Sequence, residues 1–117
     1  MKFEKGQLST EAQIIGNAIH AIAEEMGFVI QRASSSVTIT VSQDLSCSIF
    51  DSQLRQLAQP AHVPIHLGEF PAGVQTTMHN IGLENLRPGD MTITNDPYLG
   101  NVPHLPDLHI HCPVFYE

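Results

Sequence analysis

Between residues 11 and 33 the apolar side chains Ile15, Ile19, Ile22, Met26, Val29 and Ile30 return every three or four positions, the spacing that lines one face of an α-helix. Ala18, Ala21 and Ala23 add helix propensity, and Glu24 and Glu25 fall on the exposed side. Thr10-Glu11-Ala12-Gln13 has the form of a capping box, with Thr10 as N-cap and Gln13 reaching back. The pattern predicts a core-packing helix over residues 11–33, interrupted at most by Gly27. The β-branched run Val37-Thr38-Ile39-Thr40-Val41 predicts a strand. A second strand follows from the alternation over residues 46–50, with Asp51-Ser52 as a turn and residues 54–58 returning as the other half of a hairpin.

Two prolines, Pro60 and Pro64, argue against a long helix and make residues 60–68 an extended, ordered loop. Pro71 suits the first position of a shorter helix over residues 71–80, with Val74, Met78 and Ile81 inward and Gly82 closing it. Leu86-Arg87-Pro88-Gly89-Asp90 is a turn, residues 91–95 a strand, residues 96–103 a Pro/Gly loop and residues 108–115 a last strand. The order of elements predicts an α+β fold, a long N-terminal helix packed on mixed or antiparallel strands with a short second helix. Residues 114–117 stop in apolar strand without a polar tail, so the 117 residues are expected to be a single N-terminal segment of a larger fold.

Charge changes this picture in two ways. Twelve acids against five bases give a net charge of −7, a poor surface for phosphate backbones or anionic lipid. Charged residues are 15% of the chain where a typical domain carries about 25%. A small domain needs charge to cover its high surface area, so much of this surface is expected to lie against more chain or a partner. No apolar stretch is long enough to span a membrane, and the N-terminus lacks the apolar core of a signal peptide. A cytoplasmic chain follows, with Cys47 and Cys112 as buried, inert thiols.

The chemistry concentrates near the end. A strand starting at Asp107 sets Asp107, His109 and His111 on one face and Leu108, Ile110 and Cys112 on the other. With His104 three residues before Asp107, carboxylate and imidazole come together as a donor set for Zn, Mn or Fe. On pattern alone, a polar strand face with satisfied histidines explains the same residues slightly more economically. His62 and His66 stand four apart, but the prolines remove the helix that would pair them, and a structural role is the simpler reading. His20 and His79 read as solvated helix positions, and Asp44 as a turn former between strands. Asn95, Asp96, Tyr98 and Gly100 belong to a shaped loop beside the cluster. No phosphate-binding glycine loop, His-Glu-x-x-His pair or nucleophile elbow is present.

Five stretches, taken together, resemble the hydantoinase B / 5-oxoprolinase family. They are Asp44-Leu45-Ser46-Cys47-Ser48-Ile49-Phe50-Asp51, His62-Val63-Pro64-Ile65-His66-Leu67-Gly68, Leu86-Arg87-Pro88-Gly89-Asp90, Asn95-Asp96-Pro97-Tyr98-Leu99-Gly100 and His104-Leu105-Pro106-Asp107. The resemblance runs from about Leu8 to Glu117 and implies the N-terminal part of a B-type chain several times longer. It further implies an ATP-dependent enzyme that opens small cyclic amides such as hydantoins, 5-oxoproline or lactams. A hydantoinase A-like partner would bind ATP and phosphorylate the substrate, and the B-type half would complete metal-assisted C–N cleavage. The implied ligands of a divalent metal, Zn or Mn, are Asp44, His104 and Asp107, with His109 and His111 as further candidates and Asn95, Asp96, Tyr98 and Gly100 as the substrate loop. The chain departs from the family pattern at Gly100-Asn101-Val102-Pro103, where Gly-Gly-Thr is usual, and at His109 and His111, where Thr and Val are usual. Two other readings stay open: one part of an ATP-dependent ketone carboxylase, and a non-catalytic docking subunit or truncated product.

Overall fold

Helix α1 spans Thr10–Ala33, and its cap is Ser9 rather than Thr10: the Ser9 hydroxyl accepts the Ala12 amide at 3.2 Å. The computed structural model describes residues 9–116 and divides into two compact units, Met1–Pro64 and Ile65–Glu117. The α+β expectation holds, and both strand pairs among the described residues are antiparallel.

In the first unit α1 lies against a small hairpin, but not through its isoleucine stripe. The buried positions of α1 are Ala23 and Gly27, one turn apart, while Ile15, Ile22 and Val29 are each more than half exposed. Small residues win this contact because they let the neighbouring chain come close. A Cβ on Gly27 would stand 2.7 Å from the His62 ring, closer than real contacts allow.

Residues 37–41, expected as a strand, form a short helix α2, Val37–Thr40. The Ser36 carbonyl accepts both the Thr40 amide, at 2.8 Å, and the Thr40 hydroxyl, at 2.9 Å. Gln31 Nε2 of α1 donates to the Thr40 carbonyl at 3.1 Å. β-Branched residues lose only about 0.5 kcal/mol each in a helix, so local partners outweigh their strand preference where no strand lies alongside.

The predicted hairpin is present but shorter, as β1 (Ile49–Phe50) and β2 (Gln56–Ala58), with a register irregularity between Ile49 and Phe50. Asp51 makes its turn: Oδ1 accepts the Gln53 and Arg55 amides at 2.9 Å, and Oδ2 accepts Arg55 Nε at 2.7 Å. Those bonds, the Arg55 amide foremost, hold the Asp51 carboxyl below its ordinary value. Cys47 is buried here as expected, and burial pushes its thiol up.

The second unit opens with α3, His66–Ile81, five residues ahead of the expected start and with Pro71 inside it rather than at its first position. The proline removes one ladder bond near the N-terminus, where few bonds depend on it. His66 and Phe70 stack at 5.9 Å across that first turn. Val74 and Met78 face inward as predicted, and Gly82, at φ 80, closes the helix by donating its amide to the Met78 carbonyl at 2.9 Å. A single 3-10 turn, Leu83–Asn85, leads to the turn at Gly89 (φ 92), where the Arg87 amide donates to Asp90 Oδ2 at 2.7 Å.

Strands β3 (Thr92–Thr94) and β4 (His109–His111) pair with Thr92 opposite His111, Ile93 opposite Ile110 and Thr94 opposite His109. The expected eight-residue last strand shortens to three, because Pro113 has no amide to continue the ladder. Cys112, expected to be buried, is exposed. The core of this unit is Val74, Met78 and Val102 with Gly73 and Gly100.

Two glycines give opposite expectations. Alanine at Gly100 would set its Cβ 2.6 Å from Thr94 Oγ1 and 2.8 Å from the Asp96 carbonyl oxygen. Gly100→Ala should destabilise by about 1–3 kcal/mol in urea unfolding. Gly16→Ala, on α1 with nothing within 4 Å, should stabilise by up to ~1 kcal/mol.

Candidate functional site

The loop after β3 is built by one carboxylate. Asp96 Oδ1 accepts the Tyr98 amide at 2.7 Å and the Leu99 amide at 3.1 Å, and its carbonyl accepts the Gly100 amide at 2.9 Å. Thr94 Oγ1 in turn accepts the Asp96 amide at 3.2 Å. Asn101 then takes a left-handed backbone, φ 50, which asparagine tolerates. Two amide side chains tie the loop down, Asn95 Nδ2 to the Leu105 carbonyl at 3.1 Å and Asn80 Nδ2 to the Leu99 carbonyl at 3.3 Å. Tyr98 is left exposed. Of the four candidate loop residues, Asp96 and Gly100 therefore shape the turn, Asn95 braces it, and Tyr98 is presented to solvent.

Immediately beyond, residues 104–107 fold back on themselves, the Asp107 amide donating to the His104 carbonyl at 3.1 Å. This turn brings His104 Nδ1 to 3.3 Å from Asp107 Oδ1, with the imidazole largely exposed and the carboxylate mostly covered. A carboxylate beside an imidazole orients the ring, as in a general base or a pair of adjacent metal donors. Asp44 belongs to the first unit, on the exposed loop after α2, where its amide donates to the Thr38 carbonyl at 3.1 Å.

The alternation of β4 is as expected, but His109 and His111 take up other partners. His109 is only 7% exposed. Its ring meets Phe70 edge-on at 5.4 Å and His111 at 6.2 Å, so that His66, Phe70, His109 and His111 form a run of rings. Thr92 Oγ1 lies 2.9 Å from His111 Nδ1 across the ribbon. Burial, and next the neighbouring His66, hold His109 below the ordinary imidazole value of 6.5, with Asp107 opposing. Burial, and next His109, do the same to His111. Both rings are thus neutral near pH 7, able to accept a proton or coordinate but not to act as cations.

Gly73 is what lets this run form: a Cβ there would lie 3.1 Å from His109 Nδ1 and 3.0 Å from the Gly100 carbonyl oxygen. Three covered polar atoms in the unit, Glu69 Oε2, Thr77 Oγ1 and His109 Nδ1, have no hydrogen-bond partner. Glu69, Gly73 and Thr77 share one stripe of α3 at four-residue spacing. Sequence reasoning missed His66, Phe70, Glu69, Gly73 and Thr77 as neighbours of the histidines. The spacing of His66 and Phe70 would have shown it, had the helix been taken to begin before Pro71. Within neither unit, among the described residues, do three or more His, Cys, Asp or Glu side chains gather as a metal site requires.

The sequence model of one family, described as Hydantoinase B/oxoprolinase, matches residues 9–117. The 5-oxoprolinase PfmaA of Pestalotiopsis fici is 38% identical over 102 residues, which are 87% of this chain and 8% of that protein. 5-Oxoprolinase 1 of Arabidopsis thaliana is also 38% identical, over 90% of this chain and 8% of its own length. The B-type subunit of a putative D-/L-hydantoinase from a Pseudomonas species is 31% identical, over 90% of this chain and 18% of its own length. The chain thus spans 7–19% of the length of the relatives it matches. No solved structure matches it significantly. No helix among the described residues is long and apolar enough to cross a membrane.

The buried His109 and the half-buried His111 predict a pH dependence of stability. Both have folded-state values below 6.5, so the unfolded chain takes up protons first as pH falls. Stability is therefore fully present above pH 6.5 and is lost as pH drops below it. Urea midpoints measured between pH 8 and 5 should fall toward the acid end, and His109→Gln should flatten that slope.

Proposed function

The chain belongs to the hydantoinase B/oxoprolinase family, and from that membership we propose that it forms part of the B-type half of an ATP-dependent enzyme that opens small cyclic amides. The 5-oxoprolinase and hydantoinase relatives support the substrate class, and the hydantoinase relative, itself one subunit of an enzyme, supports a partner. That partner is an A-type subunit or domain. It binds ATP and phosphorylates the amide oxygen, which this chain, lacking a phosphate-binding glycine loop, has no visible means to do.

The observation that carries the reading is the His104–Asp107 contact, held directly after the Asp96 turn. An unstrained cyclic amide resists water because nitrogen is a poor leaving group, so a positioned proton acceptor and donor are needed once the oxygen is activated. With Asp107 orienting its ring, His104 takes a proton from the water that adds to the phosphorylated carbon and returns one to the leaving nitrogen; the acyl phosphate so formed is hydrolysed by a second water to the carboxylate and inorganic phosphate. The exposed Tyr98 ring on the rigid turn offers a hydroxyl and a flat face to the substrate.

The donor types of this pair also fit a divalent cation, imidazole nitrogen beside carboxylate oxygen. Held by His104 and Asp107, such an ion would polarise a carbonyl or lower the pKa of a water, in place of proton transfer by the His104 ring.

The test uses the protein as its cells make it, reconstituted with its ATP-binding partner. Asp107→Asn and His104→Ala should each lower ATP-coupled ring opening of 5-oxoproline or a hydantoin by at least ~100-fold, the scale of acid–base catalysis. Each should also reduce bound Zn or Mn measured by elemental analysis. Wild-type rates and metal content in both variants would overturn the assignment. Turnover that depends on bicarbonate and a ketone would replace the substrate class with carboxylation.

A further inference from the structure

The β3–β4 ribbon is inside out. Thr92, Thr94, His109 and His111 share the covered face, while the alternate positions are apolar and open. Ile93 is 65% exposed and Ile110, opposite it, 55%. Continuing the alternation by position, the same face carries Met91, 65% exposed, and Leu108, 59%. Cys112, next in the alternation beyond Ile110, is exposed as well. A sheet with one wet face normally turns its polar side to water. Here a buried histidine with an unpartnered Nδ1 lies inside and isoleucines lie outside. A two-stranded ribbon, with both edges unpaired among the described residues, is in addition too small to stand alone.

We propose that the Met91/Ile93/Leu108/Ile110/Cys112 face is a docking surface for apolar chain of the same polypeptide, outside these 117 residues, which makes the ribbon an inner layer of a larger B-type domain. The relatives choose this occupant: they carry the matching segment as 8–19% of their length, so the family has ample further chain to lay over the face. A covalently continuous segment also escapes the loss of translational freedom that a separate partner bears. The inference rests on family membership and not on the proposed reaction.

Cys112 reports on the face without any substitution. The protein purified as its cells synthesise it is treated with a maleimide under native conditions, and peptides containing Cys112 are quantified against a denatured sample. Labelling of Cys112 should be at least ~10-fold slower in the native protein than in the denatured one, because only local opening exposes a covered thiol. In the same native protein, Ile93→Asp and Ile110→Asp should each restore fast labelling of Cys112. Fast labelling of Cys112 in the unsubstituted native protein would overturn the proposal. So would protection that disappears when the native protein is diluted, since a second copy would then be the occupant.

Discussion

A glycine facing an imidazole holds the second unit together. Where Gly73 meets His109 there is no side chain on the helix, so the ring and the Gly100 carbonyl both come within about one atom's width of the backbone. Everything near the candidate site follows from that approach. The ring run from His66 to His111 needs His109 at this depth, and the depth strips it of water and keeps it neutral. The Asp96 turn is fixed at its far end by the same Gly100, whose amide closes it. Gly27 and His62 repeat the device in the first unit. Both units thus pair a helix glycine with an imidazole at a contact too close for a side chain, in the second beside the core of Val74, Met78 and Val102.

That choice of small residues explains what sequence could and could not tell. Signals confined to a few residues were read correctly: the Asp51 turn, the stop at Gly82, the turn at Gly89, and the alternation that sets His109 and His111 on one face. The stripe of Ile15, Ile22 and Val29 marked a helix but not its buried side, since the contact was decided by Ala23 and Gly27. Residues 37–41 carried a strand's composition without a strand to pair with, and the Ser36 carbonyl captured Thr40 instead. Pro71 concealed the first turn of α3, because a proline is legible as a beginning more readily than as an interruption.

The candidate site divides along the same line. His104 and Asp107 lie within one turn of chain, and their spacing already contained their contact. The meeting of His109 with Phe70 spans a long stretch of sequence and depends on packing that no local pattern encodes. The two histidine groups consequently differ in character. One is exposed and carboxylate-paired, the other buried among rings and kept uncharged.

The division of the chain at Pro64 has a consequence for its synthesis. Each unit is one unbroken length of sequence, and the contacts that close it lie inside that length. The first can settle while the second is still being translated. Until cover arrives, each leaves the ribosome with isoleucines facing water. Exposed apolar surface of this kind is what makes a partly assembled chain prone to aggregate.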